Sequence, residues 1–476
     1  MDRGDIPFLS ATELAGLIQS RDVSPVEAVE SYLSRIERVD PQLNAYITVC
    51  SAEAHRAAQE AEVEISSGNY RGPLHGLPVA VKDQIHTRGI PTTDASRIRA
   101  QFVPEEDATV VANLKRAGAI LLGKLNMSEF ALGDPISSAF GPAHNPWDLE
   151  RSPGTSSTGS GAATAGFLCA TSLGEDTGGS IRGPAANCGL VGLRPSWGRV
   201  SRYGVDGACW SIDTIGPISR TVSDCAMTLG AIAGYDARDP YTWKAPVPDY
   251  RHSLTGDIKG LRVGVVRELL DADLVGVDPQ TRDAVVAAAE VLRELGAQVR
   301  EVSLPLARHS GTIVRTITHT ERVSLHPDWL RERPQDYHPN TRVAFMTGNL
   351  IPGQVYYKAQ KLRALVRQQV LAALSEVDVL IQPTSSGPAA RMDLNAGVRT
   401  REQARKALLE GSFRGPYSLA GTPALSIRCG FTAPGPGGLP LALQIAGRPF
   451  DEATVLRVAH AYEQNTPWHT RRPPIS

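Results

Sequence analysis

The stretch Glu175-Asp-Thr-Gly-Gly-Ser-Ile-Arg182 lies inside a tract rich in Gly, Ser and Ala that covers residues 151–202. Its two consecutive glycines permit backbone geometry that a residue with a Cβ resists, and a segment compatible with a helix, 181–188, follows Ser180. A glycine turn that leads into a helix leaves several backbone N–H groups unpaired and pointing one way, which suits a site for developing negative charge. The alternative is a tract of small residues that lets two elements pack closely, and the glycines alone do not decide between these interpretations.

Strands and helices alternate on both sides of this tract, which predicts an α/β fold. An apolar strand is expected over 77–82, a second over 119–123 and a helix over 109–117 between them, an order that favours parallel pairing. Further strands are predicted over 261–266, 298–302, 377–382, 424–429 and 441–445, and a helix over 279–295. We therefore predict a single large α/β/α domain, 1–476, with a mixed central sheet, in which an N-terminal helical segment (1–70) packs on a core region (71–230).

The N-terminal segment carries strong helix signals. Ser10-Ala-Thr-Glu13 and Ser24-Pro-Val-Glu27 are both capping boxes, and the helix that begins after Ser24 is expected to end before Pro41. A third helix is predicted over 51–65. The least regular stretch, 325–357, is rich in Pro, Arg and aromatic residues, and it is predicted to be either a lid or pocket loop or a surface excursion.

Composition excludes several classes of protein. The 476 residues carry 49 basic and 50 acidic side chains, so nothing predicts attraction to nucleic acid or to an anionic membrane. No apolar run approaches the ~18 residues of a membrane span, and the polar N-terminus shows no secretory signal. The six cysteines form no Cys-x-x-Cys pair, the histidines form no His-x-x-x-His pair, and no phosphate-binding loop is present. We therefore predict a cytoplasmic protein with reduced thiols that uses no metal and no cofactor, and not an NTP-dependent ligase.

Three side chains stand out as candidates for chemistry. Lys82 ends an otherwise apolar strand, where a lysine either extends to solvent or loses its proton. Asp83 follows it, but neighbours in a strand point to opposite faces, so Asp83 is not an automatic ion-pair partner. Ser156 lies in a serine-rich stretch that by itself is typical of a turn. It precedes Ser180 by enough residues for a helix over 161–166 and a returning segment.

The chain resembles the amidase signature family from about Ser10 to its end. The stretches that carry the resemblance are Lys82, Asn145-Pro-Trp-Asp148, Pro153-Gly-Thr-Ser-Ser-Thr-Gly-Ser160, Asp176-Thr-Gly-Gly-Ser-Ile-Arg182, Cys188-Gly-Leu-Val-Gly-Leu-Arg-Pro195, Gly198-Arg-Val-Ser-Arg202, Asp213-Thr-Ile-Gly-Pro217, Leu439-Pro-Leu-Ala-Leu-Gln-Ile-Ala-Gly447 and Pro467-Trp-His469. The resemblance implies a catalytic triad in which Ser180 is the nucleophile, Ser156 relays protons beside a cis peptide bond at or next to Thr155–Ser156, and Lys82 is the base. Thr155 and Thr158 stand where the family usually has glycines.

The resemblance also implies an oxyanion hole, which the backbone N–H groups of Thr177, Gly178, Gly179 and Ser180 would form. A hydroxyl that attacks an amide carbonyl near neutral pH needs a general base within hydrogen-bond reach. The pKa of a free lysine is about 10.4, so the pKa of Lys82 has to fall by roughly three units, about 4 kcal/mol. We expect burial to achieve this without a carboxylate partner.

The other polar and aromatic candidates have structural alternatives. Arg182 is predicted to be structural and to bind Asp176 or nearby carbonyl groups. Met127, Phe130 and Trp210 are predicted to line the substrate pocket, although aromatic residues in such loops are more often plain core.

Two kinds of relative in the family suggest different substrates. The glutamine-hydrolysing component of a tRNA-dependent amidotransferase, its A subunit, needs an arginine for the carboxylate of glutamine, a role open to Arg342, and an aspartate for its amine. The stretch Glu410-Gly-Ser-Phe-Arg-Gly-Pro416, where the aspartate is expected, has Gly411 or an arginine instead. The sequence therefore favours a stand-alone amidase for a small amide, aryl amide, ester or carbamate, as a urethanase would be. The glutamine-hydrolysing component and a catalytically silent scaffold are the alternatives. The expected partners are the small-molecule amide or carbamate and a second copy of the chain in a homodimer.

Overall fold

The centre of the protein is a mixed β-sheet, in a computed structural model that describes residues 3–132, 134–394, 400–433 and 438–475. Within these residues the sheet has eleven strands in the order β1-β3-β2-β4-β6-β5-β10-β11-β9-β7-β8. In chain order they are β1 (Tyr46–Val49), β2 (Pro78–Lys82), β3 (Ile120–Leu125), β4 (Thr171–Asp176), β5 (Val191–Arg194), β6 (Thr214–Ser219), β7 (Arg262–Val266), β8 (Gln298–Val302), β9 (Val379–Pro383), β10 (Ala424–Phe431) and β11 (Pro440–Gly447).

Helices cover this sheet, so the predicted single α/β domain with a mixed sheet is confirmed. The α-helices of the described residues are α1 (Ala11–Ser20), α2 (Pro25–Leu43), α3 (Ser51–Ser66), α4 (Thr109–Arg116), α5 (Thr158–Ala165), α6 (Arg182–Cys188), α7 (Val222–Ile232), α8 (Ala272–Val275), α9 (Pro279–Glu294), α10 (Ser310–Val323), α11 (Pro327–Glu332), α12 (Pro339–Asn349), α13 (Gly353–Glu376), α14 (Arg401–Ser412), α15 (Gly415–Ala420) and α16 (Glu452–Gln464). No helix among the described residues is both long and apolar enough to cross a membrane.

The strand–helix–strand unit β2–α4–β3 has the parallel pairing that its sequence predicts, with Pro78 opposite Ile120. Strand β2 also pairs in parallel with β4, which in turn pairs antiparallel with β6. The sequence does not predict β4 or β6, because both contain glycine, polar residues or proline that are typical of turns. Every residue of both strands is buried, so pairing inside the sheet overrides these local preferences.

The N-terminal helices form as their capping boxes predict, and they share the largest apolar core with β2 and β3. One boundary is wrong, because α2 continues through Pro41 to Leu43. Proline removes one N–H donor from the helix, yet the helix continues for two more residues before it ends. Asn44 adopts a left-handed conformation (φ 49°) and donates its N–H to Asp40 O at 2.7 Å.

The stretch 325–357 is mostly helical, which corrects the prediction of an irregular segment. It contains α11, α12 and the first turn of α13. Pro327 and Pro339 occupy the first positions of α11 and α12, where the missing N–H of proline costs nothing. The prolines that suggested a loop therefore begin helices. The role of this segment as a lid stays a prediction.

Candidate active site

Lys82 ends strand β2, and its side chain is fully buried. Its Nζ donates a hydrogen bond of 2.8 Å to the hydroxyl of Ser156, which is also buried. The peptide bond between Thr155 and Ser156 is cis, at the position that the family resemblance implies. The structure thus brings two of the three candidate side chains into direct contact.

A carboxylate that the sequence does not assign completes the surroundings of Lys82. Glu175 Oε2 lies 3.2 Å from Lys82 Nζ, and both side chains are 0% exposed. The expectation that Lys82 has no carboxylate partner is therefore wrong. Strands β2 and β4 are parallel neighbours, so their carboxyl ends bring the two side chains to the same edge of the sheet. Asp83 lies instead 3.7 Å from the Nζ of Lys124.

Burial lowers the pKa of Lys82 and raises the pKa of Glu175, because shielding from solvent disfavours both charges. The attraction between the two groups opposes both shifts. Thr177 Oγ1 lies 2.7 Å from a carboxylate oxygen of Glu175 and 2.7 Å from one of Asp213. Thr177 thus bridges the two acids, and Asp213 also accepts the backbone N–H groups of Ala208 and Cys209.

Ser180 lies in the turn between β4 and α6, and its side chain is partly exposed. It lines a cavity of about 270 Å³, on which Thr155 also lies. Within the described residues the structure records no hydrogen bond of Ser180 Oγ. The candidate nucleophile is therefore open to a ligand in the cavity, and its link to Ser156 is not formed in this structure.

The four predicted oxyanion donors do not behave alike. The N–H of Gly179 donates to Asp176 Oδ1 at 2.9 Å, so this donor points away from a substrate. Among the described residues the N–H groups of Thr177, Gly178 and Ser180 make no recorded hydrogen bond. These three donors remain candidates for an oxyanion hole, and Gly179 in this conformation does not.

Asp176 holds the double-glycine turn in place. Its carboxylate lies 3.0 Å from the guanidinium groups of Arg182 and Arg194, and all three side chains are fully buried. Burial alone would raise the pKa of Asp176, but the two guanidiniums hold it well below its usual range. Arg182 also donates to the carbonyl of Arg414 at 2.9 Å. These contacts support the predicted structural role of Arg182.

Met127 and Phe130 lie beside the cavity but do not line it. Met127 is buried in an apolar group with Ala131, and Phe130 packs among aromatic rings that include Phe345. The next residues along the chain, Ala131 and Leu132, form the cavity wall. Met127 and Phe130 are therefore core residues in this structure, although the sequence predicts that they line the pocket.

Trp210 and Arg342 are also absent from the cavity lining. The indole of Trp210 is 54% exposed and lies 5.5 Å from the ring of Tyr241. Arg342 lies on α12, which packs against α10, and its guanidinium donates to Pro334 O at 3.5 Å. The predicted contact of Arg342 with a substrate carboxylate has no support in this geometry.

Helices α10 and α14 supply most of the cavity wall, which the sequence does not assign. The residues they contribute, together with Arg414 just before α15, are Gly311, Val314, Arg315, Thr318, His319, Arg322, Ala407, Glu410, Gly411 and Arg414. The sequence contains a pattern that predicts part of this wall, because Arg315, His319 and Arg322 are spaced so that they lie on one face of a helix. That pattern gives no indication of which element the face meets.

The α/β fold, the buried lysine beside a serine and the double-glycine turn agree with the motifs that resemble the amidase signature family. The model of the Amidase family matches residues 27–456 of the chain. The chain therefore belongs to the amidase signature family.

Individual relatives match over nearly the whole chain. The A subunit of glutamyl-tRNA(Gln) amidotransferase from Geobacter metallireducens is 44% identical over 491 residues, which cover 98% of each protein. A structure described as a vestigial protein complex that reveals the evolutionary origins of an s-triazine catabolic enzyme matches with a TM-score of 0.88, at 33% identity, over 98% of this chain and 100% of that chain. The structure of the A subunit of glutamyl-tRNA(Gln) amidotransferase from Thermotoga maritima matches with a TM-score of 0.83, at 32% identity, over 99% of each chain.

Proposed function

We propose that this protein hydrolyses an amide bond through an acyl-enzyme on Ser180, with Ser156 as proton relay and Lys82 as base. The observation that carries the proposal is the buried hydrogen bond of 2.8 Å from Lys82 Nζ to Ser156 Oγ, at the edge of the cavity that Ser180 lines. An amine held against a hydroxyl in a buried site is an arrangement that can activate a serine without histidine.

In the proposed reaction the hydroxyl proton of Ser180 moves to Ser156 while the proton of Ser156 moves to the neutral amine of Lys82. The oxygen of Ser180 attacks the carbonyl carbon, and the free N–H groups of Thr177, Gly178 and Ser180 stabilise the negative oxygen that results. The carbon–nitrogen bond then breaks as the relay returns a proton to the leaving nitrogen. Water hydrolyses the ester on Ser180 by the same relay.

Glu175 has a positioning role in this scheme. Lys82 becomes an ammonium ion during each attack, and an isolated ammonium is costly in a buried site. The carboxylate at 3.2 Å stabilises that ion when it forms.

Two classes of amide are candidate substrates. The 44% identity to an amidotransferase component favours glutamine as the ammonia source and the other components as partners. The cavity favours a stand-alone hydrolase of a small amide, ester or carbamate. Its carboxylate, Glu410, accepts from the N–H of Ser386 and is paired with Arg414 Nη1, which weakens its attraction for the amine of glutamine.

Release of ammonia or amine from glutamine, a neutral aliphatic amide, an anilide and a carbamate tests the proposal, with Ser180→Ala as the matched inactive variant. Turnover of simple amides by the chain alone supports the stand-alone enzyme. Turnover of glutamine that rises when the other amidotransferase components are added, with none of simple amides, supports the amidotransferase assignment. Equal rates for wild type and Ser180→Ala on every compound would leave only the silent scaffold.

A further inference from the structure

We propose that a second cavity, at the C-terminal end of α6, binds a small phosphorylated molecule through four arginines. The cavity has a volume of about 500 Å³, and the arginines that line it are Arg220, Arg428, Arg471 and Arg472. Cys188, the last residue of α6, also lines it, whereas Ser180 lies before the first residue of that helix. The second cavity shares no lining residue with the cavity beside Ser180, so its ligand does not contact the proposed nucleophile.

Arg428 is the strongest observation, because its side chain is only 6% exposed and has no carboxylate within ion-pair distance among the described residues. Its Nη2 donates to the carbonyl of Arg220, while its Nε is buried without a hydrogen-bond partner and its Nη1 makes no recorded hydrogen bond. Burial lowers the pKa of Arg428 to about 10, so the group is still charged near pH 7. A buried guanidinium without an anion is costly to maintain.

Arg220 is a second buried cation on the same wall, and its partners are neutral. Its two Nη atoms donate to backbone carbonyls and to the hydroxyl of Tyr32. Asp224 attracts Arg220 and Arg428 from beyond ion-pair distance, and its Oδ1 already accepts the N–H and the hydroxyl of Thr12. Hydrogen bonds to neutral groups satisfy the N–H donors of Arg220, but they leave its positive charge uncompensated.

Arg471 and Arg472 add two exposed guanidinium groups, which make neither an ion pair nor a hydrogen bond within the part of the chain that the structure describes. Aromatic rings hold them in place. Cζ of Arg471 lies 3.9 Å from the ring centre of Phe431, and Cζ of Arg472 lies 4.8 Å from that of Phe8. A cation–π contact orients a guanidinium and leaves its N–H groups free to bind an anion.

Two acids line the second cavity against these four cations. Glu13 Oε2 accepts the N–H and the hydroxyl of Ser10, both at 2.8 Å, in the capping box of α1. Glu463 is buried and accepts the N–H of Val222, and burial raises its pKa to about 7, so it is only partly ionised near neutral pH. Burial also lowers the pKa of His469, which keeps this histidine on the wall neutral. The second cavity therefore has an excess of positive charge.

A phosphate group fits this arrangement better than a carboxylate does. Its three terminal oxygens can accept from several guanidiniums at once, and it carries a charge of about −1.5 to −2 near pH 7. Thr221 and Ser223, at the start of α7, also line the second cavity, and the N–H groups in the first turn of a helix favour an anion. A volume of about 500 Å³ leaves room for a small organic group beside the phosphate.

Calorimetric titration of pyrophosphate and of glycerol 3-phosphate into the wild-type chain tests the site, with tricarballylate as an anion that carries only carboxylates. We expect saturable binding of at least one of the two phosphate compounds. Arg428→Gln and Arg472→Gln should each weaken it by about tenfold or more, as hydrogen bonds to a charged group allow. Arg315→Gln is the matched control, because this exposed arginine lines the cavity beside Ser180 and not the second cavity, so its variant should bind as the wild type does.

The titration needs no catalysis, so its result holds whether or not the chain hydrolyses an amide. Binding that is lost in Arg315→Gln and kept in Arg472→Gln would place the anion beside Ser180 and overturn the proposed site. No saturable binding of either phosphate compound would overturn it as well, as would equal affinities of wild type and Arg472→Gln. Binding of tricarballylate as tight as that of pyrophosphate would overturn the assignment to phosphate. Arg472 is exposed, so its variant decides the question if Arg428→Gln does not fold.

Discussion

Lys82 Nζ and Glu175 Oε2 lie 3.2 Å apart at the ends of two parallel strands, and neither side chain has any contact with solvent. The same ammonium or amine group donates to Ser156 at 2.8 Å. The two groups therefore titrate as a pair, and the protonation of the pair decides whether the serine relay has a base.

Glu175→Gln should move the acid limb of the kcat/KM profile to lower pH. The base has to be neutral, so activity falls as the pH drops through the pKa of Lys82. The carboxylate of Glu175 raises that pKa, and an uncharged amide removes the effect, so we expect the acid limb to lie at lower pH in the variant. Profiles from pH 5 to 10 measure it. Glu376→Gln, in an exposed ion pair with Arg300, is the control, and a limb that moves to higher pH would contradict the assignment.

Ser156→Ala should lower kcat by about 10²–10⁴-fold, because it removes the relay between Ser180 and Lys82. Ser157→Ala is a matched control. The hydroxyl of Ser157 is buried and donates to the carbonyl of Glu175 at 3.3 Å, so its loss should cost about 1 kcal/mol of stability and little activity. Single-turnover rates and urea unfolding, measured for both variants, test this comparison. Equal losses of kcat in the two variants would argue against a relay at Ser156.

The sequence predicts the parts of this protein that depend on local pattern. The unit β2–α4–β3 has apolar strands around an amphipathic helix, and the motif residues Lys82, Ser156 and Ser180 stand out by their types and order. The contact of Lys82 with Glu175 depends instead on the strand order β3-β2-β4. Since β4 contains Gly and acidic residues that do not resemble a strand, this order cannot be derived from one sequence.

The position of Arg315 and Arg322 on the cavity wall cannot be predicted from the sequence either, because it also depends on tertiary packing. Helices α10 and α14 approach each other at glycines, where a Cβ on Gly311 would lie 2.0 Å from Leu408 O and one on Gly411 would lie 3.1 Å from Gly311 Cα. This close crossing sets the polar face of α10 over Ser180. A helical pattern of Arg315 and Arg322 identifies the face, but only the tertiary packing identifies its neighbour.

Asp176→Asn should destabilise the protein by about 3–5 kcal/mol, because it leaves the buried guanidiniums of Arg182 and Arg194 without a counter-charge. The folded pKa of Asp176 lies below that of the unfolded chain, so its carboxylate stabilises the fold above about pH 4 and this contribution is lost as the pH falls through the folded pKa. Urea midpoints at pH 7 and at lower pH should therefore converge for wild type and variant. Asp328→Asn removes an exposed pair with Arg331 and should cost less than about 1 kcal/mol.

Gly179→Ala should reduce both stability and activity. The residue has φ of +124°, and an added Cβ would lie 2.3 Å from Cδ of Arg414. Arg414 cannot move aside freely, since its Nη1 donates to the carbonyl of Thr384 at 2.9 Å. We expect a loss of about 1–3 kcal/mol from backbone strain, together with a lower kcat because the turn that carries Ser180 has to shift.

Gly16→Ala on α1 is the matched control for this substitution. A Cβ there meets nothing within 4 Å, so the variant should gain about 0.4–1 kcal/mol and keep its activity. Thermal unfolding and kcat of both variants, measured side by side, distinguish a local requirement for glycine from a general effect of alanine. If Gly179→Ala kept the wild-type kcat, the geometry of the double-glycine turn would not control the reactivity of Ser180.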